Sequence, residues 1–102
     1  MSAPTQIVFS PDAIDHLARL RVSDRRLILD AIETYLLHEP TAVTRRRKPL
    51  RPNPLASWEL RVDRYRVYYQ VAVEASLQIV TVVAVGRKIR DRVQIGGVEV
   101  KL

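Results

Sequence analysis

An alternation of apolar and mostly polar residues between positions 58 and 73 restricts the possible folds of this chain more than any other feature. Apolar or aromatic residues fill every second position on either side of Asp63-Arg64, namely Trp58, Leu60, Val62, Tyr65, Val67, Tyr69, Val71 and Val73. Successive side chains of a β-strand point to opposite faces, so this pattern places all of these residues on one face. The segment predicts a β-hairpin with one buried and one solvent-exposed face.

The sequence before this hairpin follows the period of an amphipathic helix. Ser10-Pro11-Asp12 has the residue types of a helix N-cap, a first-turn proline and a first-turn acid, and an apolar stripe follows it. A second stripe occupies residues 25–39, with Asp24 as its predicted cap and Pro40 as its stop. Two helices joined by a tight turn predict a helical hairpin.

The remaining segments complete the predicted fold. Residues 6–9 form a short first strand, residues 77–85 form a central strand because they are apolar on both faces, and residues 93–100 form a last small hairpin around two glycines. The proline-rich residues 41–57 form a loop without regular hydrogen bonding. We predict an α+β fold in which an N-terminal helical hairpin packs on one face of a twisted antiparallel β-sheet of about four strands. The other face is left open for function.

Length and composition narrow the class of protein. A chain of 102 residues fits one domain, 1–102, and 47% hydrophobic with 27% charged residues is typical of a globular protein. The chain has no cysteine, which favours a reducing cytoplasm over a disulfide-stabilised secreted scaffold. Its N-terminus lacks the pattern of a signal peptide, and no stretch approaches the length of a membrane span. We expect a cytoplasmic protein without a membrane partner.

The positive charge is concentrated in two segments of the chain. The net charge is +6, and residues 44–66 hold eight basic residues against two acidic ones. Residues 86–92 hold four basic residues against one acidic residue, and the rest of the chain is net negative. Such clustering is typical of a protein that binds a polyanion, although an acidic protein partner or solvated surface charge would also fit.

Strand pairing brings part of this charge together. A tight turn at Asp63-Arg64 places Arg61 opposite Arg66 and Glu59 opposite Tyr68. Like charges opposite each other destabilise a sheet unless an anion lies between them, so the open face is predicted to hold the phosphates of a nucleic acid. Tyr68 offers a ring for base stacking. The residues predicted to contact RNA are Arg45, Arg46, Arg47, Lys48, Arg51, Arg64, Tyr68, Arg87 and Arg90.

The run KPLRPNPLASWELRVDRYRVYYQV, followed by a central strand and VGRKIRDRV, resembles the RelE/ParE toxins of type II toxin–antitoxin systems. The resemblance extends over about residues 8–102. It implies a metal-independent endoribonuclease, without a cofactor, that cuts messenger RNA in the ribosomal A site. It also implies a cognate antitoxin that silences the toxin in a hetero-oligomer, and the surplus apolar residues Leu27, Leu29 and Leu37 would suit such a partner or a broad core face.

The resemblance also implies catalytic residues. Arg66 matches the family's strand arginine that holds the scissile phosphate, Arg61 matches a basic position of the preceding strand, and Lys88 matches a second catalytic basic position. Gln94 occupies the usual position of a C-terminal tyrosine or histidine and cannot transfer a proton at neutral pH. Glu59, the one carboxylate predicted on the basic face, could replace it as the base or could hold the arginines in place.

Two other functions remain open at the level of the sequence. The departure at Gln94 favours a ParE-like toxin that blocks DNA gyrase by protein contact, whereas the basic loop and the arginine pair favour RNA. The third possibility is an inactive homologue that only binds its antitoxin. His16 and His38 are predicted to be surface residues of the helices, and the chain offers no clustered carboxylates for a metal site.

Overall fold

A computed structural model describes residues 4–101 of the chain, which form two helices and seven strands. In chain order the elements are β1 (Thr5–Phe9), α1 (Pro11–Ala18), α2 (Val22–Leu36), β2 (Arg47–Pro49), β3 (Trp58–Val62), β4 (Tyr65–Glu74), β5 (Leu77–Ile89), β6 (Arg92–Ile95) and β7 (Val98–Val100). The α+β class is as predicted. Neither helix in the described part of the chain has the length and hydrophobicity that crossing a membrane requires.

The sheet is larger than predicted and is not purely antiparallel. Its strands run in the order β2-β3-β4-β5-β6-β7, with antiparallel neighbours throughout, whereas β1 pairs with β5 in parallel. The prediction of about four antiparallel strands was therefore wrong in number. The free edge of β5 explains the addition of β1, because β6 pairs only with residues 86–89 and leaves residues 78–82 for another strand.

Helix α1 begins where the sequence predicted, whereas α2 begins earlier than predicted. The Ser10 hydroxyl accepts a hydrogen bond from the Ala13 N–H at 3.1 Å, which confirms it as the N-cap of α1. Helix α2 begins at Val22 and ends at Leu36, so Asp24 does not cap it and Pro40 does not mark its end. Asp24 instead accepts a hydrogen bond from the Tyr65 hydroxyl at 2.9 Å, which ties the first turn of α2 to the sheet.

The two helices cover different parts of the sheet, which differs from the predicted placement of a helical hairpin. Helix α1 packs against β5, and α2 packs against β3. The connection between them is held by Arg25, whose guanidinium donates hydrogen bonds to the carbonyls of Leu17 and Leu20 at 3.0 and 3.1 Å. These bonds tie the first turn of α2 to the end of α1 and to the turn that follows it.

The main core lies between the helices and one face of the sheet. Seven of the eight residues of the alternating pattern contribute to it as predicted, and Tyr65 and Tyr69 are buried there beside Ile28 and Ile32 of α2. The prediction was wrong for Val73, which is 69% exposed near the end of β4. Trp58 packs at its margin, with its ring stacked on that of Tyr69 at a centroid distance of 6.2 Å. The two-residue period therefore identified correctly which face of the hairpin is buried.

A second, smaller cluster lies on the opposite face, which was predicted to be open. Tyr68 and Ala84 of the sheet are covered there by Ala56 of the loop between β2 and β3. Asn53 shapes this loop, because its Oδ1 accepts hydrogen bonds from the backbone N–H groups of Leu55 and Ala56 at 2.8 and 3.0 Å. The loop therefore leaves only part of this face uncovered.

The basic segment before this loop is also more regular than predicted. Arg47–Pro49 forms the edge strand β2, which pairs with residues 58–60 of β3. The pairing continues briefly beyond Pro49, where the Leu50 N–H donates to the Ser57 carbonyl at 2.9 Å. Pro49 fits this position because an edge strand needs hydrogen bonds on one side only. The prediction of a loop without regular hydrogen bonding was wrong at these three residues.

Candidate functional site

The face of the sheet away from the helices holds an open cavity of about 760 Å³. Its walls come from β3, β4, the end of β5 and the hairpin formed by β6 and β7. The lining residues are Leu50, Glu59, Arg61, Arg66, Tyr68, Lys88, Asp91, Arg92, Val93, Glu99, Val100 and Lys101. Five of them are basic and three are acidic, so the cavity is net positive and suits an anion.

The predicted register of the β3–β4 hairpin is confirmed. Arg61 pairs directly with Arg66, and Glu59 pairs with Tyr68. The two-residue turn that sets this register begins at Asp63, which has a φ of 56°. Aspartate tolerates this left-handed conformation better than most residues, so the local sequence supports the turn and with it the pairing of the two arginines.

Arg66 is the most constrained cation of the cavity. It is only 8% exposed, and its Nη1 donates hydrogen bonds to the carbonyls of Asp63 and Tyr65 at 2.8 and 2.7 Å. A guanidinium has five N–H donors, so the groups on Nε and Nη2 remain for other partners. Among residues 4–101, no carboxylate forms an ion pair with Arg66. Because a buried charge without a counter-ion is unfavourable, an anion in the cavity would stabilise it.

Glu59 lies between Arg61 and Tyr68. Its Oε2 lies 3.3 Å from the Arg61 Nε, and its Oε1 accepts a hydrogen bond from the Tyr68 hydroxyl at 3.5 Å. Burial raises the pKa of Tyr68, and the negative charge of Glu59 raises it further, whereas Arg66 acts in the opposite direction. The phenol therefore stays protonated at neutral pH and acts as a donor to Glu59.

Lys88 completes the predicted set of cavity residues, and the C-terminal hairpin adds residues that the sequence did not identify. Lys88 is exposed on β5, where its backbone N–H donates to the Arg64 carbonyl at 2.7 Å. The sequence-based prediction missed Arg92 and Lys101, which line the opposite wall. The turn at Gly96-Gly97 predicts that β6 pairs with β7. The sequence does not indicate which side of the sheet this hairpin docks against, and that docking brings Arg92 and Lys101 to the cavity.

Arg47 and Tyr68 were predicted to contact RNA, and the structure places both of them differently. Arg47 is 8% exposed, and its guanidinium donates to the carbonyls of Tyr35 and Ala42 at 2.9 and 3.1 Å. It closes the end of α2, because it lies on the strand face that packs toward the helices. Tyr68 is fully buried under the loop that contains Ala56, so its ring has no free face for a base.

The remaining predicted RNA contacts do not line the cavity. Arg64 lies over the Tyr65 ring at 5.8 Å, Arg46 lies over the Tyr35 ring at 4.9 Å, and Arg87 shares the face of its cross-strand partner Tyr65. Lys48 lies on the cavity face because it pairs with Glu59. The others, Arg45, Arg51 and Arg90, are exposed in loops and turns.

The structure also shows where Gln94 and the two histidines lie, and of the two histidines predicted to be surface residues only His38 is fully exposed. Gln94 pairs with Arg87 and therefore lies on the helix side of the sheet, away from the cavity. His16 is half-buried, and its Nδ1 accepts a hydrogen bond from the Val85 N–H at 3.2 Å, whereas His38 is exposed. Across residues 4–101 no three histidine, aspartate or glutamate side chains come together in a way that could hold a metal ion.

The fold and the cavity together define a class of small basic α+β proteins with a net-positive cavity on one face of a curled sheet. The family model of the ParE toxin of the type II toxin–antitoxin system parDE matches residues 7–92. The chain belongs to this family, within the RelE/ParE superfamily of type II toxins, as its sequence resemblance predicted. Membership of a type II system implies a cognate antitoxin as a partner.

A solved structure supports the fold independently. The YoeB/ParE toxin from Agrobacterium tumefaciens matches with a TM-score of 0.60 and 22% sequence identity, over 76% of this chain and 91% of that chain. At this level of identity the match shows a common fold. No curated protein matches the sequence.

Proposed function

We propose that this toxin is a ribosome-dependent endoribonuclease that cuts messenger RNA without a metal or another cofactor. The observation that carries the proposal is the buried Arg66, which lies opposite Arg61 in an open cavity and has no carboxylate partner within residues 4–101. A phosphate between these two guanidinium groups would supply the missing negative charge. Planar guanidinium forks suit the oxygen atoms of a phosphodiester.

The side chains of the cavity match what cleavage by the ribose 2′-OH requires. In this reaction the 2′-oxygen bonds to the adjacent phosphorus, its proton passes to a base, and the bond from phosphorus to the 5′-oxygen breaks. Glu59 is the candidate base, and Arg61 and Arg66 would stabilise the charge that develops on the phosphorane. Lys88 is the candidate acid that protonates the leaving 5′-oxygen. The products would be a 2′,3′-cyclic phosphate and a free 5′-hydroxyl.

The proposal is tested by inducing the toxin and mapping the ends of a translated message by primer extension. We expect new 5′ ends within codons for the wild type and their loss for Lys88→Ala, because Lys88 is exposed and its replacement leaves the core unchanged. The control is Arg26→Ala, which removes an exposed positive charge from α2, outside the cavity. Intact transcripts during growth arrest by the wild type would refute ribonuclease activity.

A second candidate function is inhibition of DNA gyrase by protein contact. Two observations favour it: the family model that matches is that of ParE, and Gln94 stands on the far side of the sheet from the cavity. DNA breaks and filamentation that precede translation arrest would identify this activity. If the toxin has no effect on growth at all, the chain is an inactive homologue that binds only its antitoxin.

The antitoxin is proposed to cover exposed apolar residues of the helices. Ile14 of α1 is 57% exposed, and Leu27 and Leu29 of α2 are 44% and 38% exposed. These exposed apolar side chains would suit an amphipathic segment of the antitoxin that folds when it binds. We expect co-expression with the antitoxin to relieve growth inhibition and to yield a hetero-oligomer.

A further inference from the structure

A second cavity, of about 220 Å³, lies on the helix side of the sheet, behind the wall of the first. It is bordered by the end of α1, by β5 and by the β6–β7 hairpin. We name it the His16 pocket, and it is lined by Leu20, Val85 and Gly86 together with His16, Arg19, Tyr65, Arg87, Gln94, Gly96 and Gly97. Its lining includes no aspartate or glutamate. The charged side chains of the lining, Arg19 and Arg87, are therefore both positive.

His16 presents a donor to this pocket. Its Nδ1 accepts a hydrogen bond from the Val85 N–H, so the neutral ring carries its hydrogen on Nε2. The Nε2 atom lies 3.5 Å from the position that a Cβ on Gly96 would occupy, which places it over the turn of the hairpin. No acceptor for this Nε2 is found in the described part of the chain.

Arg87 supplies the positive charge. It pairs with Tyr65 on one side and with Gln94 on the other, so its side chain lies on the helix side of the sheet. Within residues 4–101 its guanidinium forms no ion pair, whereas Arg19 is paired with Asp15 at 3.0 Å. Gly96, the first residue of the hairpin turn, has a φ of 60°, and its N–H has no protein acceptor among these residues.

We propose that the His16 pocket binds one phosphate group, either inorganic phosphate or the phosphate of a mononucleotide. The guanidinium of Arg87, the Nε2–H of His16 and the turn of the hairpin surround it. Charged and neutral donors that converge on a small space are the common means of holding a phosphate oxygen. This site goes beyond the proposed cleavage of RNA, because it lies on the other face of the sheet.

A bound phosphate would also connect the two faces. The hairpin whose turn borders the His16 pocket contributes Arg92 and Lys101 to the larger cavity. Beyond its pairing with four residues of β5, the hairpin meets α1 where His16 approaches Gly96. A phosphate that bridges α1 and the turn would therefore hold this wall of the cavity in place.

Amide chemical shifts of the full-length protein, measured by NMR during a phosphate titration, test the proposal. We expect saturable shifts of Gly96 and Gly97 that sodium chloride at equal ionic strength does not reproduce. Arg87→Gln should weaken the apparent affinity for phosphate about tenfold, because a charged hydrogen-bond donor is lost. Arg26→Gln is the matched control, since it removes an exposed positive charge from α2, outside both cavities, and should leave these shifts unchanged.

The same titration separates this site from the larger cavity. Phosphate that enters the larger cavity should shift the amide of Arg61, and Lys88→Gln should weaken that binding. Binding at the His16 pocket and binding in the larger cavity can therefore be contradicted separately. Titration with adenosine monophosphate distinguishes the two sources: equal affinity assigns the site to phosphate, and tighter binding assigns it to a mononucleotide. Unchanged affinity at Gly96 and Gly97 in Arg87→Gln would overturn the proposal.

Discussion

Arg66 stabilises the β3–β4 turn and is also the candidate phosphate ligand, because its guanidinium has donors on two sides. Its Nη1 closes the turn through the carbonyls of Asp63 and Tyr65, while its remaining N–H groups are available to the cavity. The position of this arginine opposite Arg61 could be predicted from the sequence, since it depends only on the turn and the period of the strands. The burial of Arg66 could not be predicted, because burial depends on segments that are distant in the chain.

Arg66→Lys separates these two roles. Lysine keeps the charge but lacks the planar fork whose donors reach the turn carbonyls on one side and the cavity on the other, so we expect cleavage of programmed ribosomes to fall by about 10²-fold or more. The free energy of unfolding should fall by about 1–2 kcal/mol with the lost hydrogen bonds, as measured by urea denaturation. Arg64→Lys, at the exposed neighbouring position, is the control. Wild-type cleavage by a folded Arg66→Lys protein would contradict the assigned role.

At the level of the element, the β6–β7 hairpin decides the shape of both cavities. Its docking on β5 depends on Gly86, because a Cβ at this position would lie 2.9 Å from side-chain carbons of Ile95 and Val93. Real Cβ atoms do not approach neighbours so closely, and the hairpin would have to shift away from β5. The absence of a side chain at Gly86 therefore lets the hairpin close over this part of the sheet.

We expect Gly86→Ala to destabilise the protein by about 1–3 kcal/mol and to reduce cleavage, because the wall that carries Arg92 and Lys101 moves. Thermal unfolding and primer extension measure the two effects. Gly97→Asn is the control within the same hairpin, since nothing lies within 4 Å of a Cβ there and asparagine tolerates its φ of 81°. Equal stability of Gly86→Ala and the wild type would show that docking of the hairpin on β5 does not depend on the missing side chain at Gly86.

At the level of the whole molecule, buried phenols link stability to pH. Burial raises the pKa of Tyr69, and burial together with Glu59 raises the pKa of Tyr68. The folded protein therefore keeps these protons at a pH where the unfolded chain releases them, near 10. The stability that they contribute is present below pH 10 and is lost as the pH rises toward the folded pKa values.

Urea denaturation between pH 9 and pH 11 checks this dependence. Above pH 10 we expect the free energy of unfolding to fall by roughly 1.4 kcal/mol per pH unit for each tyrosine that ionises only when unfolded. Tyr69→Phe should reduce the slope of the free energy of unfolding against pH by the contribution of one proton. It should also lower stability at pH 7, because the Tyr69 hydroxyl donates to the Pro40 carbonyl at 2.6 Å. A stability that does not change across this range would contradict the burial of these phenols.

The sequence alone determined the features that depend on neighbours along the chain. The two-residue period and the Asp63-Arg64 turn predicted the pairing of Arg61 with Arg66, and Ser10 predicted the start of α1. The buried face of the hairpin followed from the same period, since Tyr65 and Tyr69 lie in the main core. Such features could be predicted because a strand, a turn or a cap is specified by a few consecutive residues.

Only the tertiary structure decided which basic residues share a cavity. Arg47 closes the end of α2, while the adjacent Lys48 faces the opposite side of the sheet. Tyr68 is covered by Ala56, which belongs to the loop between β2 and β3. The same holds for Arg92 and Lys101, which reach the cavity because the last hairpin docks beside β5. Burial and convergence depend on which distant segments pack together, and no local pattern encodes that choice.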